Sequence, residues 1–172
     1  MADVIHFLKT RARQLHRSAA AMEPAAIARV RQLDELRELE EHALARDVKR
    51  RHCLAVVARE VGFRGWPDAV AIIGGATRGD FGTLLYPRGA DAHWNIWSAS
   101  YDEARAIREA HGGYLLAYKL HFFIVDRYFI ETIGLDPEDG DWSLIGRDWV
   151  RPRLPEARQR LYGKLIARRL AA

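Results

Sequence analysis

Ser100–Val125, SYDEARAIREAHGGYLLAYKLHFFIV, carries a helix start, a helix stop, two strands and the turn between them. Ser100 followed by Glu103 makes a capping box, in which the serine oxygen accepts from a first-turn amide and the glutamate reaches back. A helix is therefore predicted over 101–111, with Ala104, Ile107 and Ala110 or His111 inward, closed by Gly112-Gly113. Tyr114–Tyr118 and His121–Val125 are built of aromatic and branched residues that suit a pleated surface, and Lys119-Leu120 between them predicts a tight turn. His93–Trp97 upstream has the same character and reads as a third strand. Asp126 is placed to cap a helix over 127–133, which Gly134 ends. Strand, helix, strand, strand, helix, with short connections and a hairpin, implies an α+β layer in which helices cover a small antiparallel sheet.

Working outward, Asp136–Asp141 reads as a polar turn, and Trp142, Leu144, Ile145 and Trp149 after it supply core. A last helix follows Pro155, its line Ala157, Leu161 and Leu165 facing in and Arg158, Lys164, Arg168 and Arg169 facing out. Toward the N-terminus, glycines and Pro87 between residues 74 and 91 mark a boundary, although Phe81 and Leu84-Leu85-Tyr86 are apolar enough to dock on a neighbour. The expected organisation is a helical module over 1–75, a linker over 76–91 and a small α+β unit over 92–172.

In the helical module, residues 4–20 are amphipathic, with Val4, Leu8, Ala12, Leu15 and Ala19 on one side. Breaks are expected between Pro24 and Val61, with Asp34 and Asp47 as N-caps and Glu35, Glu38, Glu40 and Glu41 as a solvated face. Within Arg50–Pro67, RRHCLAVVAREVGFRGWP, the apolar residues Leu54, Val57, Ala58 and Val61 recur at helical spacing. Gly62 stops that helix, Phe63 folds back onto it, and Trp66-Pro67 opens the next. Phe63 and Trp66 are expected to be buried between the two helices.

The pattern Leu54…Ala58-Arg59-Glu60-x-Gly62-Phe63-x-x-Trp66-Pro67 resembles a short helical module near the N-terminus of bacterial proteins of unassigned activity, some of which continue into ankyrin repeats. Leu8-Lys9…Ala12-Arg13…Leu15 and Ala26…Ala28-Arg29 are similar to the helices that precede it there, so the likeness spans roughly residues 4–73. It implies a fold for this part and no catalytic residue. No ankyrin signature follows, and the C-terminal half carries no such resemblance.

The single Cys53 excludes an intramolecular disulfide, and the N-terminal residues lack the apolar run of a signal peptide; a cytoplasmic location is expected. No run of apolar residues is long enough for a membrane span. Charge is segregated: residues 1–79 hold 14 Lys and Arg against 10 Asp and Glu, residues 80–150 hold 6 against 12, and residues 151–172 hold 7 against 1. The basic tail can pair with the acidic middle, meet a second copy, or bind phosphates.

Motifs for chemistry are sparse. No glycine-rich phosphate loop, nucleophile elbow or EF-hand pattern is present, and no cofactor is expected. His93, His121 and Asp126 are the candidate metal ligands of a small metal-dependent enzyme, since two histidines and a carboxylate form a known donor set. Arg158, Lys164, Arg168 and Arg169 are the candidate contacts of sequence-independent nucleic-acid binding through basic helices. The helix after Trp66 is too apolar to read base edges, so that alternative ranks below a non-catalytic binding or regulatory protein acting on a protein partner or on itself.

Overall fold

The computed structural model describes residues 4–87, 90 and 93–170. Helices α1 (Val4–Ala20), α2 (Pro24–Val30), α3 (Asp34–Arg37), α4 (Glu41–Asp47), α5 (Arg50–Glu60) and α6 (Trp66–Ile73) come first. They are followed by β1 (Asn95–Ser98), α7 (Tyr101–His111), β2 (Tyr114–Tyr118), β3 (His121–Val125), α8 (Arg127–Thr132), α9 (Gly140–Leu144) and α10 (Pro155–Arg169). The three strands form one antiparallel sheet in the order β1-β3-β2, and the fold is α+β.

The apolar stripe Val4, Leu8, Ala12, Leu15 and Ala19 of α1 is buried, and α1 packs along α5. In α5 the buried face is His52, Cys53, Val56, Val57 and Ala58, whereas Leu54 is half-buried; the face is rotated toward Cys53 and Val56 from the one expected. The turn after α5 closes as the sequence implies. Gly62 has φ +94°, its amide donates to the Arg59 carbonyl at 2.9 Å, and the Phe63 amide donates to Ala58 at 2.9 Å. Such paired bonds satisfy the last carbonyls of a helix and need a left-handed residue, which glycine adopts without strain.

Phe63 is buried, and Trp66, the first residue of α6, is partly buried and packed against the same core, so it sits nearer the rim than Phe63. Asp47 is corrected as an N-cap. It ends α4 and pairs with neighbouring Arg46, while Asp34 is the first residue of α3 and Leu33 holds the cap position.

Residues 81–86 enter the core, with Phe81, Leu84 and Leu85 buried. The Thr83 amide donates to the Gly62 carbonyl at 2.7 Å. On the other side, Phe81 donates to the Lys119 carbonyl at 3.0 Å and Lys119 to the Gly82 carbonyl at 2.8 Å. The α5–α6 turn is thereby hydrogen-bonded through this strip to the tip of the β2–β3 hairpin. Strip and turn approach so closely that a Cβ on Gly82 would overlap the Gly62 carbonyl oxygen.

In the sheet, Trp97, Phe123 and Leu116 lie opposite one another on one face, and Ser98, Phe122 and Ala117 on the other. The second face lies against α7, whose Tyr101 ring meets Phe122 at 5.9 Å. A short parallel bridge pairs Leu115 with Asp148, so residues 147–149 run beside β2. Buried apolar side chains from the α1–α6 region, the 81–85 strip and the sheet unit form one continuous cluster. No helix among the described residues is long and apolar enough to cross a membrane.

Candidate anion-binding cleft

The three candidate metal ligands are not brought together. His121 opens β3 and is exposed, whereas Asp126 follows its other end, about 17 Å away at the usual rise per residue. Asp126 accepts from the Phe129 amide at 3.0 Å as the cap of α8, and the His93 ring nitrogen Nε2 shares a hydrogen bond with Thr132 Oγ1 at 3.0 Å. Among the described residues no group of three His, Cys, Asp or Glu side chains is set to hold a metal ion. Cys53 is buried, and burial pushes its thiol up to about 11, far from the thiolate that nucleophilic chemistry requires.

The basic tail divides. Arg158, expected to face out, is fully buried, and this is the principal correction to the predicted binding residues. Its Nη1 donates to the carbonyls of Trp149 at 2.9 Å and Val150 at 3.3 Å. Its Nη2 donates to Ile72 at 2.8 Å and Ala76 at 3.0 Å. The guanidinium fork satisfies carbonyls at the end of α6 and before α10, which lie where the two regions meet. Lys164 pairs with Asp139 and, at 3.0 Å, with Asp141, which Arg160 also holds. Burial opposes the charge on Asp141, but the hydrogen bonds from Arg160 and Lys164 outweigh it and hold the carboxyl below its ordinary range. Arg168 and Arg169 remain exposed beside a small cleft at Thr132 and Ile133.

A different set of arginines converges. Arg105, Arg108, Arg151 and Arg153 line an open cleft of about 240 Å³ with Tyr101, Glu109, Gly146 and Asp148. Helix α7 supplies Tyr101 in its first turn and Arg105, Arg108 and Glu109 further along. The 145–153 segment supplies Gly146, Asp148, Arg151 and Arg153, and the Leu115–Asp148 bridge fixes it beside the sheet edge. At the floor, the Tyr101 hydroxyl donates to Asp148 Oδ2 at 2.6 Å, and Asp148 Oδ1 accepts from the amides of Val150 and Arg151 at 2.9 Å each. Both oxygens of this buried carboxylate are therefore engaged. Burial, followed by the bond to Asp148, raises the Tyr101 phenol well above its ordinary range, so it is a hydrogen-bond donor and not a base.

Arg151 lies over the Tyr101 ring with its guanidinium carbon 3.8 Å from the centroid. Arg108 Nη1 donates to the Gly146 carbonyl at 3.1 Å, while its Nε is buried without a partner among the described residues. Arg105 donates to Glu109 at 2.8 Å, and that bond holds the glutamate below its ordinary range. Glu109 also lies 3.7 Å from Arg108 Nη2, and Asp102 lies 3.8 Å from Arg151 Nη1. Arg153 rests against Gly146 and is in no ion pair among the described residues. Four guanidinium groups against three carboxylates, one of them already satisfied by three hydrogen bonds, leave a net positive cleft of forked donors. Such donors match the oxygens of phosphate and carboxylate.

None of these arginines stood among the predicted binding residues. The spacing of Arg105 and Arg108 on one helix and of Arg151 and Arg153 around Pro152 was available in the chain. Their convergence depends on the long-range bridge at Leu115. Compared with protein-family models, curated proteins and solved structures, the chain matches none. The likeness of residues 4–73 to a bacterial helical module thus rests on its motif alone.

Proposed function

We propose that the protein is a cytoplasmic, non-catalytic binding protein whose arginine cleft takes an anionic group, a phosphate or a carboxylate. The convergence of Arg105, Arg108, Arg151 and Arg153 over a floor whose own carboxylate is already occupied supports this reading. The phenol beside them is held protonated, and no nucleophile with an adjacent base lies among the lining residues, so the groups present hold an anion and do not transform it. A cluster of forked donors also suits a phosphorylated or acidic segment of a protein partner, in keeping with a regulatory role.

The test uses pyrophosphate as probe and thermal melting as readout. At about 100 times its dissociation constant a ligand adds about 2.7 kcal/mol of stability, a rise of roughly 5–10 °C for a chain of this size. The Arg105→Ala/Arg153→Ala double variant should lose that rise while melting near the parent temperature without ligand. No rise in the parent protein, or the same rise in the variant, would remove the cleft as an anion site.

A further inference from the structure

Trp97 of β1 is 41% exposed, yet its position is over-determined. Its ring stacks on Phe123 at 4.7 Å with 21° between planes. Tyr86 and Tyr118 meet it edge-on at 5.1 and 5.9 Å. Its Nε1 donates to Asn95 Oδ1 at 2.7 Å. Phe123 covers one face of the indole, and part of the side chain stays open to solvent. Its orientation is held by three neighbouring rings and one hydrogen bond, so stacking a ligand ring on it would lose little side-chain entropy.

Tyr118 joins this platform to a second feature. Lys119 lies at the hairpin tip with its Nζ 5.3 Å from the Tyr118 ring centroid, and its backbone is tied on both sides to the 81–82 strip. The same Lys119 lines an open cleft of about 300 Å³ with Arg59, Arg64, Asp80 and Thr83. Arg59 and Arg64 are exposed and form no ion pair among the described residues. Asp80, the one carboxylate among these lining residues, accepts from the Gly82 amide at 2.8 Å, and three cations outnumber it. A locked aromatic face therefore continues, through one lysine, into a groove carrying two unpaired arginines.

We propose that this surface binds single-stranded nucleic acid, with a base stacked on Trp97 and the neighbouring phosphates running past Lys119 to Arg59 and Arg64. Aromatic faces interleaved with cations match the alternation of base and phosphate along a strand. In a duplex the bases are stacked on one another and cannot reach the indole. A mononucleotide site would enclose most of its ligand, whereas platform and groove are both open and so suit a strand passing across them. The site shares no lining residue with the arginine cleft, and Arg105→Ala/Arg153→Ala should leave it unchanged.

Fluorescence anisotropy of labelled oligothymidylate of about 15 nucleotides, at several salt concentrations from about 50 to 200 mM, tests the proposal. The single strand should bind at least about tenfold more tightly than a duplex of equal length, the margin that base stacking supplies. Trp97→Ala should weaken binding roughly 5- to 140-fold without altering the slope of affinity against salt, and Trp97→Phe should recover much of the loss. Arg59→Ala/Arg64→Ala should instead flatten that slope by about 1.4, at 0.7 per phosphate. Absence of saturable binding, equal affinity for duplex, or an unaffected Trp97→Ala protein would overturn the proposal. So would thymidine monophosphate competing as well, nucleotide for nucleotide, as the strand. Should Trp97→Ala fail to fold, the double arginine variant still decides, because both side chains are exposed and an unchanged slope would refute the phosphate path.

Discussion

Helices α2 to α6 and helices α7 to α9 begin in different ways. None of the N-cap residues Glu23, Leu33, Glu40, Lys49 and Gly65 accepts a side-chain hydrogen bond for its helix, although His52 Nδ1 partly substitutes in α5 by accepting from the Lys49 amide at 3.0 Å. Ser100, Asp126 and Asp139 each cap the helix that follows them. Side-chain caps satisfy orphan amides locally, at about 1 kcal/mol each. Helices without them depend on burying apolar faces against their neighbours, as α2 and α5 do, and on rare polar ties such as the paired bonds from Arg29 to Glu60. Helices α2 to α6 thus start without side-chain caps and α7 to α9 with them, while α10 also starts uncapped, at Leu154 ahead of Pro155.

The widest test concerns Arg158, a buried side-chain tie between the regions. Arg158→Met leaves the carbonyls of Ile72, Ala76, Trp149 and Val150 without this donor in a buried place. Since hydrogen bonds to a charged group contribute about 1.5–3 kcal/mol each, a net loss on the order of 4 kcal/mol is expected in denaturant melts. A loss below about 1 kcal/mol would mean that the Arg158 bonds add little to the joining of the regions. Next, the two aromatic residues around the Gly62 turn should separate by burial. Phe63→Ala is expected to cost about 3 kcal/mol, and Trp66→Ala less, about 2 kcal/mol, because the indole is only partly buried; equal losses would contradict the rim position. Smallest are the caps themselves. Ser100→Ala should destabilise by about 1 kcal/mol, whereas Glu40→Ser, which installs a missing cap at α4, should stabilise by about 0.5 kcal/mol. If Glu40→Ser gives no gain, packing already fixes that helix start.

The same contrast explains which parts of the molecule were legible in the chain. Tyr101–His111, Tyr114–Tyr118 and His121–Val125 fall where the Ser100 cap, the glycine pair and the tight turn put them, because those signals act within a few residues. The other half of the expected capping box does not form: Glu103 accepts from Ser98 Oγ, and the Ser100 amide donates to Ser98 Oγ at 2.9 Å. β1 begins two residues later than expected, at Asn95, because its register is set by pairing with β3. Asp47 looked like a cap and is the end of a helix, since in the first region a short carboxylate has no monopoly on helix starts. Arg158 adjoins the inner stripe of α10, and nothing local reveals that carbonyls at residues 72, 76, 149 and 150 converge on it. The arginine cleft was hidden for the same reason: its two halves lie on one helix and one distant segment, joined by a bridge between residues 115 and 148.

The contact between Gly62 and Gly82 also works as a spelling rule. A chain that carries the Gly-Phe-x-x-Trp-Pro turn can place its next segment against that turn in this manner only if a residue without Cβ follows twenty positions later. A side chain at that position would push the segment off the turn, so the glycine is necessary for this junction at this spacing, though the rest of the strip must also fit.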